Sequence, residues 1–161
     1  MLLARQRALA VRASRRVVGG PDDATLDGLL ADADLTVVEG CPFTGRVREV
    51  YAAGLLGIRA GTSPEWTRWL KGHGLGHHLL HRGNHLYSAG GLHLWQRQEI
   101  EAELFAGTLF FGPASPLDIS ALAEMAAVPR ECVRSWQASF LHFLEERPGP
   151  SSARFPRPRH R

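Results

Sequence analysis

The sequence predicts an α+β fold, on three observations. Residues 35–60 hold three short extended runs separated by turn-forming residues. Residues 63–82 and 96–110 each carry apolar side chains at helical spacing, and residues 119–136 have the spacing of two short helices joined by a turn. A chain of 161 residues with 44% hydrophobic composition is long enough to bury a core as one domain of ordinary size.

The net charge of +3 conceals a segregation of charge. Residues 1–20 contain five arginines and no acid, and the stretch 148–161 is basic and proline-rich, whereas the body between them is net acidic. Residues 1–20 are therefore expected to form a basic arm or extended start, and 148–161 a disordered basic tail with too few apolar side chains to pack. Basic ends of this kind can meet nucleic acid or an acidic partner, but solvated segments are the simpler expectation. The longest apolar runs stop well short of the roughly 18 residues that span a bilayer, so no membrane partner is expected. Arginines interrupt the first 18 residues where a signal peptide needs an apolar segment, and Cys41 and Cys132 fit no zinc or redox spacing. A reducing, cytoplasmic setting follows.

Taken in order, Pro21-Asp22-Asp23 opens a first helix, because proline suits the first turn and acids favour its positive end. Leu26, Leu29 and Leu30 give that helix one apolar stripe through Asp32. The runs 35–39, 46–52 and 55–60 are the extended candidates. The connections Cys41-Pro-Phe-Thr-Gly45 and Ala53-Gly54 suit tight turns, so a small, mostly antiparallel sheet is expected. Ser63-Pro64-Glu65 is a helix start, with serine as N-cap and proline at the first helical position, and the helix should end near Arg82-Gly83. Residues 83–94 are rich in Gly, Asn and Ser and are expected as a loop. The next helix places Ala102, Phe105, Ala106 and Leu109 on one face, with Glu99 on that same face, where a carboxylate needs a partner. A turn at Val128-Pro129 separates the last two helices. The expected organisation is an arm (1–20), a metal-binding domain (21–113), a helical subdomain (114–147) and the tail (148–161).

The chemistry lies in Lys71-Gly-His73-Gly-Leu-Gly-His77-His-Leu-Leu-His81. On a helix, His73 and His77 stand one turn apart on one face and can converge on one metal ion. A hydrolytic zinc site takes three protein ligands and leaves the last position open, and Glu99 on the following helix completes such a set. The residue after the first histidine, which usually carries the glutamate that takes a proton from metal-bound water, is Gly74. Two glycines within three residues, Gly74 and Gly76, predict close packing against this helix, since each costs about 1 kcal/mol relative to alanine. His78 should point away from the His73–His77 face. His81, one turn further, either supports the site from behind or lies at the surface, and the surface is preferred for both.

The run WLKGHGLGHHLLH, followed by Glu99-x-x-Ala102-x-x-Phe105-Ala106-x-x-Leu109, resembles the ImmA/IrrE family of bacterial and phage zinc metallopeptidases. Their pattern reads Ala-His-Glu-Leu-Gly-His-x-Leu-Leu-His and then Glu-x-x-Ala-Asn-x-Phe-Ala-x-x-Leu-Leu. The order of the flanking elements is similar too, so the resemblance covers about residues 22–140. It implies a zincin-like domain followed by a helix-turn-helix-like subdomain, Zn2+ as cofactor, and His73, His77 and Glu99 as its ligands. The family's general base falls on Gly74, which cannot accept a proton, and its asparagine after Ala102 is Glu103 here. Glu101 is not expected to substitute as base, because two residues of helix turn it about 160° from Glu99.

Family members are similar in acting as regulatory peptidases that cut helix-turn-helix repressors. The resemblance with its missing base therefore implies a zinc-binding, catalytically impaired homologue that recognises a regulatory protein partner, such as a helix-turn-helix repressor. Two other functions follow from the same residues. One is an active metallopeptidase with a non-standard base. The other is a DNA-binding regulator that presents Arg130, Arg134 and Gln137 to nucleic acid, its metal being structural. The acidic character of residues 101–147 opposes phosphate binding, so Leu122, Ala123, Val128, Val133 and Trp136 are expected instead to form the core of a helical subdomain.

Overall fold

The computed structural model describes residues 2–81, 92–113 and 118–145. In chain order these form α1 (Leu2–Ser14), α2 (Asp23–Asp32), β1 (Thr36–Cys41), β2 (Glu49–Ala52), β3 (Leu55–Arg59), α3 (Pro64–Leu80), α4 (Leu92–Phe111), α5 (Ile119–Ala126) and α6 (Arg130–Glu145). The α+β class is as expected. The basic tail (148–161) and residues 83–91 of the expected loop lie outside the described residues, and Leu92–Leu94 belong to α4.

The sheet has strand order β1-β3-β2 and is mixed, which corrects the mostly antiparallel expectation. β2 and β3 form a hairpin whose two-residue turn, Ala53 (φ 46°) and Gly54 (φ 84°), has the left-handed backbone that matches strand twist. β1 instead runs parallel to β3, pairing Thr36 with Leu55 and Val37 with Leu56. The chain crosses from one edge of the sheet to the other between β1 and β2, over residues that read in sequence as a tight turn.

The second correction concerns residues 2–14, expected as an arm. They form α1, which packs on α4 through Ala4 and Ala8, both essentially buried, with Val11 completing the i, i+4, i+7 stripe. Small residues let two helix backbones approach closely. The arginines lie around this seam, and Arg12 donates to the carbonyls of Leu109 and Val17, so part of the basic charge caps the end of α4. Arg15 pairs with Asp32 of α2.

The cap expected at the start of α3 is present, and α5 has one that the sequence reading did not single out. Ser63 accepts from the Trp66 amide (3.4 Å) at the start of α3, and Asp118 accepts from the Ser120 and Ala121 amides (2.8 and 3.1 Å) at the start of α5. At α2 the cap is Asp22, accepting from Thr25 N at 2.7 Å, so Pro21 lies before the helix rather than in its first turn.

α4 is the central element, with α1, α3 and α6 against it. Trp69 of α3 stacks on Phe110 (5.7 Å between centroids), and Trp136 of α6 lies 4.7 Å from Phe111. Gly107 admits the Trp136 indole, whose Cδ1 would stand 2.0 Å from a Cβ at that position. Ala123, Val128, Val133 and Trp136 are buried and share one apolar core with the rest of the chain. α5 and α6 are thus packed onto the body.

Candidate metal centre

α3 and α4 lie side by side because glycine lines the contact. A Cβ on Gly72 would meet the Phe110 ring at 2.6 Å, and one on Gly76 would meet Phe105 at 3.1 Å and the Ala102 backbone at 3.2 Å. The close packing expected from the glycines is therefore present, and it sets the distance between donors on the two helices. His73 and His77 occupy successive turns of α3, His81 is its C-cap, and all three are buried. From α4, Glu99 reaches toward the first two: its carboxylate lies 3.4 Å from His77 Nε2 and 3.7 Å from His73 Nε2. The three donor atoms lie within 4.8 Å of one another. Metal–ligand bonds of about 2.0–2.1 Å at tetrahedral angles imply donor separations of about 3.3–3.4 Å, so His73, His77 and Glu99 could hold a metal ion with little movement.

Each histidine is backed on its other nitrogen. Glu49 Oε1 lies 2.5 Å from His73 Nδ1, so the Nδ1–H donates to a carboxylate and the Nε2 side faces Glu99. His77 Nδ1 lies 3.2 Å from His81 Nδ1, and His81 Nε2 lies 3.2 Å from Glu101 Oε2. Glu101 can only accept when ionised, so His81 donates to it through Nε2–H and accepts from His77 Nδ1–H. The network thereby assigns the tautomer that leaves the His77 Nε2 lone pair toward the site. Tyr51, two residues along β2 from Glu49 and on the same face, stacks over His77 and bonds His78 Nδ1 at 3.0 Å.

The charges follow from this placement. Burial disfavours a charged His73, but the Glu49 carboxylate, with Glu103 and Glu99 beyond it, outweighs burial and lifts its pKa to about 10. His77 is shifted down, chiefly by burial. Burial raises Glu103, whose Oε2 stands 3.7 Å from His73 Nε2. The hydrogen bond from His81, assisted by Arg97, holds Glu101 near 2 despite partial burial. Around His73, then, stand three carboxylates, and among the described residues the buried Oε2 of Glu49 has no hydrogen-bond partner. A divalent cation fits this donor set, because it offsets negative charge that one imidazolium cannot balance. Such an ion, once bound, supplies Lewis acidity to an oxygen ligand.

Position 74 faces the sheet. A Cβ there would lie 2.6 and 2.7 Å from the methyl carbons of Leu56, a side chain with no exposed surface. The place where a base would begin is filled by β3. Glu101 is engaged with His81 and Arg97 (3.1 Å), away from Glu99 as expected. His81, for which the surface was preferred, is buried behind His77, because at the C-cap of α3 its ring is held between His77 and Glu101 of α4. His78 is half-buried and not a surface residue, since Tyr51 rises from β2 to meet it.

Glu49, Tyr51 and Glu103 were not singled out as site residues from the sequence. A signal for the first two exists: a strand places Glu49 and Tyr51 on one face, and Tyr51 is apolar enough to face inward. On α6, Arg130 and Arg134 are exposed, and Arg130 lies 3.9 Å from Glu124. Gln137 is half-buried. A cleft of about 460 Å³ between α4 and α6, lined by Gln96, Glu99, Ile100, Glu103, Ser135 and Ser139, leads to the carboxylate side of the centre.

No protein-family model matches the chain, and no curated protein is significantly similar to it. Among the described residues, no helix is long and apolar enough to cross a membrane.

Proposed function

We propose that this chain is a zinc-binding, zincin-like relative of the ImmA/IrrE metallopeptidases that has lost efficient peptide hydrolysis. In this reading it acts in the cytoplasm by recognising a regulatory protein partner, such as a helix-turn-helix repressor. One pairing of observations carries the reading. His73, His77 and Glu99 converge with their supporting hydrogen bonds in place, while Leu56 occupies the space a side chain on residue 74 needs. Zinc suits two imidazoles and a carboxylate at these separations. A partner segment reaching the centre would enter along the cleft between α4 and α6. The DNA-binding alternative is less well supported, because the residues that would form a readout helix spend Val133 and Trp136 on the core.

The test is elemental analysis of the purified protein and its His77→Ala variant, together with a hydrolysis assay on an unstructured protein substrate. About one zinc per chain, lost on His77→Ala, with no turnover above the metal-free control, is the expected result. Absence of zinc from the unaltered protein removes the proposal. Zinc-dependent cleavage would establish an active peptidase with another base.

A further inference from the structure

We infer that Glu103 is a fourth protein ligand, which makes the centre a closed two-histidine, two-glutamate site; this rests on the metal-binding reading above. The two helices present matched donors: His73 and His77 are four residues apart on α3, and Glu99 and Glu103 are four apart on α4. Glu103 Oε2 lies 3.7 Å from His73 Nε2, the same distance as Glu99 Oε2 from that atom. An imidazole has two ring nitrogens, and Glu49 occupies the outer one. A carboxylate beside Nε2 is therefore on the metal side of the ring and does not support His73 from behind.

Glu103 is also well buried, with a side chain 14% exposed, so its charge is not held by solvent. With Ser135 and Ser139 of α6 it lines the cleft that leads to the site. Its oxygen stands outside the 4.8 Å group formed by His73, His77 and Glu99, so ligation turns the carboxylate further toward the ion. The fourth position of a hydrolytic zinc centre is the one kept open for water or substrate. Here Glu103 fills it, on the same centre whose usual base position is glycine packed on Leu56. The loss of the base and the closing of the site would then be two parts of one change, from a reactive metal to a structural one.

The experiment uses the full chain loaded with Co2+ or Zn2+. In the unaltered protein, visible absorption of bound Co2+ should be unmoved by azide, since no coordination position is open. Glu103→Gln should weaken Zn2+ binding in chelator competition by about a hundredfold or more, above the roughly 10–100-fold expected for losing a supporting partner, and should make the Co2+ spectrum respond to azide. Ser135→Ala should leave Zn2+ affinity within about tenfold. Glu103→Gln that binds Zn2+ as tightly as the unaltered protein, or an azide-sensitive spectrum in the unaltered protein, would overturn the fourth ligand and leave the three-residue site standing. No metal bound by the unaltered protein would sink both. If Glu103→Gln does not fold, the azide response of the unaltered protein decides by itself.

Discussion

Leu56 on β3 and Gly74 on α3 share one space: the leucine methyls stand 2.6 and 2.7 Å from where a Cβ on residue 74 would be. The helix approaches the sheet so closely only because that side chain is absent. Gly74→Ala should therefore destabilise the protein by about 1–3 kcal/mol, the range for forcing an extra carbon into a packed core, although alanine is the better helix former by about 1 kcal/mol. Urea unfolding would measure this, and a stabilising alanine would show that the contact is loose. Gly74→Glu alone should misfold or fail to turn over. Gly74→Glu combined with Leu56→Ala and with Glu103→Gln, which reopens the fourth metal position, is the variant in which peptide hydrolysis should first become measurable.

Glu49 would act on a bound metal through His73, whose Nδ1 it holds. Glu49→Gln keeps the shape but removes the charge, and should lower zinc affinity about 10–100-fold without removing a ligand. Chelator competition measures the affinity. NMR titration of His73 in the metal-free protein should show its pKa dropping from about 10 toward the ordinary value. An unchanged His73 titration would mean that the carboxylate pair is not formed in solution.

Metal binding should depend steeply on pH. His73 faces Glu49 on one side, Glu99 and Glu103 on the other, and His77 along the helix. Its pKa of about 10 lies above the ordinary 6.5. In the metal-free protein the charged form contributes stability that is fully present below 6.5 and is lost as pH rises through 10. A metal ligand must be deprotonated, so the ion has to displace that proton. His77, shifted down by burial, has none to lose at neutral pH. Apparent affinity should accordingly rise about tenfold per pH unit above neutrality and level off near 10. A flat profile from pH 7 to 9 would contradict the charge assignment of His73.

α1 should be part of the fold. Ala8 has no exposed surface and packs toward α4, so Ala8→Leu should cost about 1–3 kcal/mol by overpacking, while Leu3→Ala, at a side chain 66% exposed, should change stability by less than about 0.5 kcal/mol. Thermal melting distinguishes the two. Equal, small effects would return residues 2–14 to the solvated arm that their charge suggested.

The chain's own order of residues determined the α+β class, most of α3 and α4, and the turn at Val128-Pro129, because these rest on local signals: caps, apolar periodicity and proline. It also determined which residues can face one another within a helix, and so His73 with His77 and Glu99 with the apolar face of α4. Local periodicity does not encode partners. α1 was misread because five arginines outweigh two alanines in composition, whereas packing turns on the alanines that meet α4. The parallel pairing of β1 with β3 was hidden because strand direction depends on a crossover that leaves no periodic mark. Glu49, Tyr51 and Glu103 reach the site from β2 and α4 only once the sheet and α4 are laid against α3, at a distance that Gly72, Gly74 and Gly76 allow. Glycine after the first histidine was legible as a missing base. That the space beside residue 74 is filled by Leu56 was decided by the tertiary structure.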